Sequence, residues 1–153
     1  MNFIKKHLKN ERGLTLIELL AVVVILGIIA AIAIPSIGGL INNSKKDAHI
    51  ATAQQMVSGA RTAVAGNDID LSSASVTINL TTLKAKGYIE SSKDSSGKGY
   101  DPSASLVTIT KDGNGNLSYK VTLVEVAAPD GDGTKYIDDQ DPSALKRENI
   151  TNL

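Results

Sequence analysis

Residues whose types and spacing could support chemistry fall in three places in this 153-residue chain. The first is Glu18, the single charge in an apolar run of about 21 residues, LTLIELLAVVVILGIIAAIAI, at residues 14–34. A lone carboxylate on a lipid-facing helix costs roughly 2.5–3.5 kcal/mol on insertion scales, so its presence demands a reason. The second is histidine, present only as His7 and His49. Nucleophilic hydrolysis needs a nucleophile and a positioned base together. His49 lies in the polar stretch NNSKKDAHIATAQQ without such company, and is expected on a solvated helix face. The third is an acidic tail with Asp130, Asp132, Asp138, Asp139 and Asp141, where oxygen-rich loops could take calcium. Asp130 and Asp132 begin like an EF-hand loop, yet Lys135 stands where its glycine belongs and no glutamate closes it. The tail is therefore expected to be an acidic, solvated loop, with Asp130, Asp132, Asp138 and Asp139 as its calcium candidates. Asp112, Asn114 and Asn116 fail the same test because Leu117 takes the glycine position, and turn chemistry accounts for them. Cysteine is absent, which removes thiol chemistry and the disulfide staple of many small exported domains, and no cofactor is expected.

The elements that must carry these residues follow from periodicity. As a helix, residues 14–34 would measure ~31 Å, the thickness of a bilayer's hydrocarbon core. Upstream, Lys5, Lys6, Lys9 and Arg12 outweigh Glu11, so the positive-inside rule leaves the N-terminus cytoplasmic and sends the chain after Pro35 outward. Beyond Pro35, apolar residues recur mostly three or four apart at Ile37, Leu40, Ile41, Ala48, Ala51, Met56, Val57, Ala60 and Val64, the spacing of an amphipathic helix. It should stop at Gly66-Asn67, a pair suited to a left-handed cap. The whole helix would span about 52 residues, or ~78 Å, too long for a compact domain of this size to enclose. Within it, Pro35 lacks an N–H and opposes the carbonyl of Ala31, a defect of ~3 kcal/mol, while Gly27 costs up to ~1 kcal/mol relative to alanine. These two residues weaken the intervening turns.

The run Arg12-Gly13-Leu14-Thr15-Leu16-Ile17-Glu18-Leu19-Leu20, behind a short basic leader and ahead of an uninterrupted apolar helix and Pro35, resembles the processing site of type IV prepilins. Leu14 departs from the Phe or Met common there but is also large and apolar. The resemblance implies a leader at residues 1–13, cleavage between Gly13 and Leu14 and N-methylation of Leu14 by a prepilin peptidase and methyltransferase. It also implies pairing of Glu18 with the α-amino group of Leu14, on its own or a neighbouring subunit, and loss of helix between Gly27 and Pro35 on assembly. An ordinary secretory signal fits poorly, since its apolar core is shorter and is followed by a small-residue cleavage site. A plain signal anchor has no use for Glu18.

The implied fold is α+β: a long N-terminal helix, apolar over residues 14–35 and amphipathic over 36–66, packed on a small antiparallel sheet within a head at 67–153. The head's own residues agree. Residues 68–75 are Ser- and Asp-rich and read as loop, 76–79 as a short extended stretch, and 80–88 as a short helix ended by Gly87. Gly87-Tyr88-Ile89 resembles a segment that pilins carry between helix and sheet. Residues 91–99 read as a surface loop, and 105–110 with 117–124 as a β-hairpin around Asp112-Gly113-Asn114-Gly115-Asn116.

Once the leader is set aside the chain carries twelve basic against fifteen acidic residues, and no Lys/Arg cluster follows Lys46, which argues against a nucleic-acid-binding face. A membrane-anchored enzyme or receptor would require a convergent polar constellation that is not visible. Electron conduction along stacked aromatics is disfavoured because residues 14–67 contain no Phe, Tyr or Trp. What the resemblance implies is a non-enzymatic pilus subunit: a single-pass membrane protein before assembly, then part of a homo-oligomeric extracellular filament for adhesion, twitching motility or DNA uptake. Its partners would include an assembly platform and ATPases. A pseudopilin of a secretion or competence system is the alternative, and a calcium site in the tail would favour it; a signal-anchored extracellular domain is the more distant one.

Overall fold

The structure, a computed structural model, describes residues 15–90, 97–127 and 133–151. Helix α1 runs unbroken from Leu16–Ala65, through Gly27 and Pro35. It ends as the Gly-Asn pair predicts. Asn67 adopts the left-handed conformation at φ 56, its N–H bonds the Val64 carbonyl and that of Asp68 the Ala63 carbonyl, closing the orphan carbonyls of the last turn. The next elements are β1 (Ser75–Asn79), α2 (Leu80–Ala85), β2 (Leu106–Lys111), β3 (Leu117–Val124), β4 (Lys135–Gln140) and a single-turn 3-10 helix, Arg147–Asn149. Asn79 caps α2 by accepting from the Thr82 N–H at 2.9 Å, and Gly87, at φ 75, terminates it.

The chain divides into two units, Met1–Leu40 and Ile41–Leu153. In the second, four antiparallel strands form a meander in the order β1-β2-β3-β4. The register places Ile78 beside Val107, Val107 beside Val121, and Leu123 beside Ile137, so one face of the sheet is apolar. That face and α1 share a core in which Ala53, Met56, Ala60, Ala63, Leu80 and Leu83 are fully buried. Each large side chain so buried contributes roughly 1.5–3 kcal/mol. Small residues let α1 sit close to its neighbours. A Cβ on Gly59 would lie 2.9 Å from Ile89 Cγ1 and 3.2 Å from the Tyr88 carbonyl oxygen. The β2–β3 turn is built by Asp112, whose Oδ1 accepts from the N–H groups of Asn114 at 2.9 Å and Asn116 at 2.8 Å. These bonds, with that from the Asn116 side chain, hold its carboxyl below the ordinary range.

Three expectations are corrected here. The acidic tail is not wholly a loop: residues 135–140 are a strand that buries Tyr136 and Ile137. His49 is not solvated. It is fully buried, its Nδ1 shares a 2.8 Å hydrogen bond with the Tyr100 hydroxyl, and its ring stacks on Tyr136 at 4.0 Å. The reason is helical phase, since residue 49 lies on the same stripe as Ala53, Met56 and Ala60. Ala51, by the same phase, faces solvent. Of the expected surface loop at 91–99, residues 91–96 lie outside the described residues.

Candidate functional site

The candidate site is the first half of α1. Every large apolar side chain described from Leu16 to Ile41 is exposed, from 85% at Leu16 down to 48% at Val22. Ile37, Leu40 and Ile41, expected on a covered amphipathic face, belong instead to this bare stretch; full burial begins only at His49. Leaving a side chain of this kind in water forgoes roughly 1.5–3 kcal/mol, so such a surface requires an apolar surrounding. The helix is long and apolar enough to cross a membrane. A Cβ placed on Gly27, Gly38 or Gly39 would meet nothing within 4 Å, so these positions offer flat backbone to whatever packs there.

Glu18 sits in the first turn, and its hydrogen-bond partner there is Thr15, which neither periodicity nor the resemblance singles out. The Thr15 carbonyl accepts the first helical hydrogen bond, from the Leu19 N–H at 3.1 Å, which makes Thr15 the N-cap. Glu18 Oε2 accepts from both the Thr15 N–H and the Thr15 hydroxyl at 2.7 Å, while the Glu18 N–H donates to Thr15 Oγ1 at 3.3 Å. This is a reciprocal capping box, and its signal, Thr-x-x-Glu ahead of an apolar run, stands at residues 15–18. Gly13 and Leu14 lie outside the described residues, as do Asp130 and Asp132.

The remaining calcium candidates face lysines. Asp138 Oδ1 is 3.1 Å from Lys135 Nζ, and Asp139 Oδ2 is 2.6 Å from Lys120 Nζ. Asp141 is engaged in a local turn, its Oδ1 accepting from the Ser143 N–H at 2.8 Å and hydroxyl at 2.6 Å. Among the described residues no group of three or more His, Asp or Glu side chains could hold a metal ion. Pairing of a different kind fixes the C-terminal segment to α1. Arg147 donates from Nε to Asp47 Oδ1 at 2.7 Å and from Nη2 to Oδ2 at 2.6 Å, a bidentate clasp that holds the Asp47 carboxyl below its usual range. Ile150, three residues on, is buried in the core.

The family description "Prokaryotic N-terminal methylation motif" matches residues 8–34. No curated protein and no solved structure matches the chain. The matched motif and the apolar helix behind it support a membrane-anchored state before assembly, processing by a peptidase and methyltransferase, and oligomeric assembly. A helix that its own chain leaves bare over one half and seats on a small antiparallel sheet over the other, headed by this motif, matches the architecture of type IV pilins and describes a pilin-like, filament-forming subunit whose role is structural.

Proposed function

We propose that this chain is the structural subunit of a type IV pilus, a surface filament that serves adhesion, twitching motility or DNA uptake. The precursor waits in the membrane as a single-pass protein with its N-terminus cytoplasmic, is cut between Gly13 and Leu14, and is methylated on Leu14. An assembly platform driven by cytoplasmic ATPases then draws it into the extracellular filament. The observation that carries this reading is the uncovered apolar surface from Leu16 to Ile41. Lipid covers it before assembly and neighbouring copies cover it afterwards. In the filament core an unpaired Glu18 would cost several kcal/mol, so its pairing with the α-amino group of Leu14, on its own or a neighbouring subunit, sets the axial register.

In lipid, backbone groups freed near Pro35 would each cost several kcal/mol, which favours the continuous helix of the single chain. Within a filament, neighbours can shield those groups, and the stretch between Gly27 and Pro35 can extend at ~3.3 Å per residue against 1.5 Å. The test is Glu18→Gln. It should leave membrane insertion intact and abolish most filament yield, with intact masses of residual filaments starting at Leu14; normal yield would overturn the reading. A reconstruction of the native filament with unbroken helix between Gly27 and Pro35 would remove the extension while leaving the assembly role in place.

A further inference from the structure

The apolar surface of α1 stops at Ile41, and Asn42-Asn43-Ser44-Lys45-Lys46 follow at once. Lys46 stands thirty residues beyond Leu16 on this unbroken helix, a rise of ~45 Å, which matches the roughly 40–45 Å of a bilayer with its headgroups included. A helix that crosses a membrane over its bare half therefore delivers Lys45 and Lys46 to the far headgroup layer. The fold adds to this pair. Arg147 clasps Asp47 through two hydrogen bonds across 100 positions of sequence, so Lys146 and Arg147 come to the same turn of α1, which no local spacing discloses. All these residues lie in the second unit. Around the clasp four basic residues stand against two acidic ones, Asp47 and Glu148, while residues 48–145 reverse the balance with eight basic against twelve acidic. Asp47 is committed to Arg147, and Glu148 reaches Lys146 only at 3.7 Å with both side chains exposed, a pair too solvated to neutralise the lysine. Positive charge is thus concentrated on the turn of α1 that follows the apolar surface.

We propose that this basic collar, Lys46 and Lys146 brought together by the Asp47–Arg147 clasp, docks on the anionic headgroups of the membrane that α1 spans. Two observations make a lipid surface the occupant. The collar begins where the apolar surface ends, the place where lysine stems can lie on apolar surface with their ammonium groups among phosphates. The rest of the head is net acidic and would be repelled by the same surface, so the collar alone faces it. The contact holds the chain in the bilayer from the exported side, and leaving the membrane requires its release. The inference rests on the membrane-spanning state before assembly and adds a class of lipid to it.

The test places the full chain, isotope-labelled, in nanodiscs of phosphatidylcholine to which phosphatidylglycerol is added stepwise, and follows backbone amide signals by NMR. Those of Lys46, Asp47, Lys146 and Arg147 should shift as phosphatidylglycerol is added, and salt at about 0.5 M should reverse the shifts. The fraction of phosphatidylglycerol at half-effect should rise about fivefold in Lys46→Gln and likewise in Lys146→Gln, the worth of one cationic side chain at an anionic surface, and pass beyond reach in the double variant. These variants leave the clasp itself intact, and arginine at both positions should restore binding. Lys84→Gln should change nothing, since α2 is tied through Lys86 to Asp68, beyond the other end of α1. Shifts that the glutamine variants leave unaltered would overturn the proposal. So would equal shifts from soluble glycerol phosphate beside pure phosphatidylcholine discs, which would make the collar a site for free anions, or shifts set by the number of chains per disc, which would make it a contact between copies. A chain that enters discs of neither lipid would remove the membrane-spanning state itself, and the proposal with it.

Discussion

The two halves of α1 are one continuous helix with opposite solutions to the same problem. From His49 to Ala63 the buried residues recur three or four apart, so the apolar surface forms a stripe that one sheet can cover. From Leu16 to Ile34 the apolar residues have no phase: Val22, Val23, Val24 and Ile25 point successively around the helix, and all are exposed. A stripe can be satisfied by a single surface of its own chain. A cylinder cannot, and needs an environment on all sides, which lipid or several neighbouring copies provide. The same distinction separates folding from assembly, since changes in the phased half should alter the head's stability and changes in the unphased half should alter what surrounds it.

The largest expected effect comes from Met56→Ala, which empties a fully buried position beneath the sheet and should cost about 2–5 kcal/mol. Its counterpart Ile29→Ala, in the bare half, should leave the head's melting temperature unchanged in detergent while lowering filament yield. Thermal melts of the two variants by circular dichroism, beside yields from sheared cells, would expose any mixing of the two roles. Gly59→Ala is the next largest. Overpacking against Ile89 and the Tyr88 carbonyl costs ~1–3 kcal/mol, alanine's helix propensity returns ~1 kcal/mol, and the balance is a loss of about 1 kcal/mol in the same melt.

The smallest effect concerns the clasp between Asp47 and Arg147, exposed on both sides. The Arg147 hydrogen bonds lower the Asp47 pKa in the folded chain, so the clasp's contribution is present above the ordinary carboxylate range, near pH 4, and is lost as pH falls through the lowered folded value. Asp101, lowered by its turn hydrogen bonds to Ala104 and Ser103, has the same sign. Melting temperature should therefore fall with acidification below about pH 4, and Arg147→Ala should remove only the Asp47 part of that slope. An unchanged slope in that variant would show that the clasp does not distinguish the folded head.

Phase also explains what the sequence disclosed. The two halves of α1, the left-handed stop at Asn67, the terminating Gly87 and the Asp112 turn were all legible, because each rests on local spacing or on a residue suited to one backbone conformation. Strand β4 was not. Tyr136 stacks on His49 and Ile137 lies opposite Leu123, so two consecutive residues are buried. Asp139 takes φ 48, and the pairing with β3 shifts register twice, leaving no alternation to read. His49 was hidden by its polar neighbours although its place on the Ala53–Met56–Ala60 stripe was available. At the candidate site, the pattern Thr15-x-x-Glu18 was in plain view, but a charge in an apolar run draws attention to a partner on another chain and away from one three residues distant.

The order β1-β2-β3-β4 has a kinetic consequence. Each strand pairs with its neighbour in the chain, although β1 meets β2 only across residues 80–105, so loop-closure entropy is met in separate instalments. The shortest closure joins β2 to β3 across residues 112–116, where the Asp112 carboxylate already gathers the turn's N–H groups. The hairpin's contacts are local, whereas those of α1 with Tyr136 and Arg147 span most of the head, so the hairpin should form first. Pulse-labelled amide exchange should find protection first at Thr108 and Lys120, which face each other across that hairpin. The head can thus begin its sheet before α1 is seated on it.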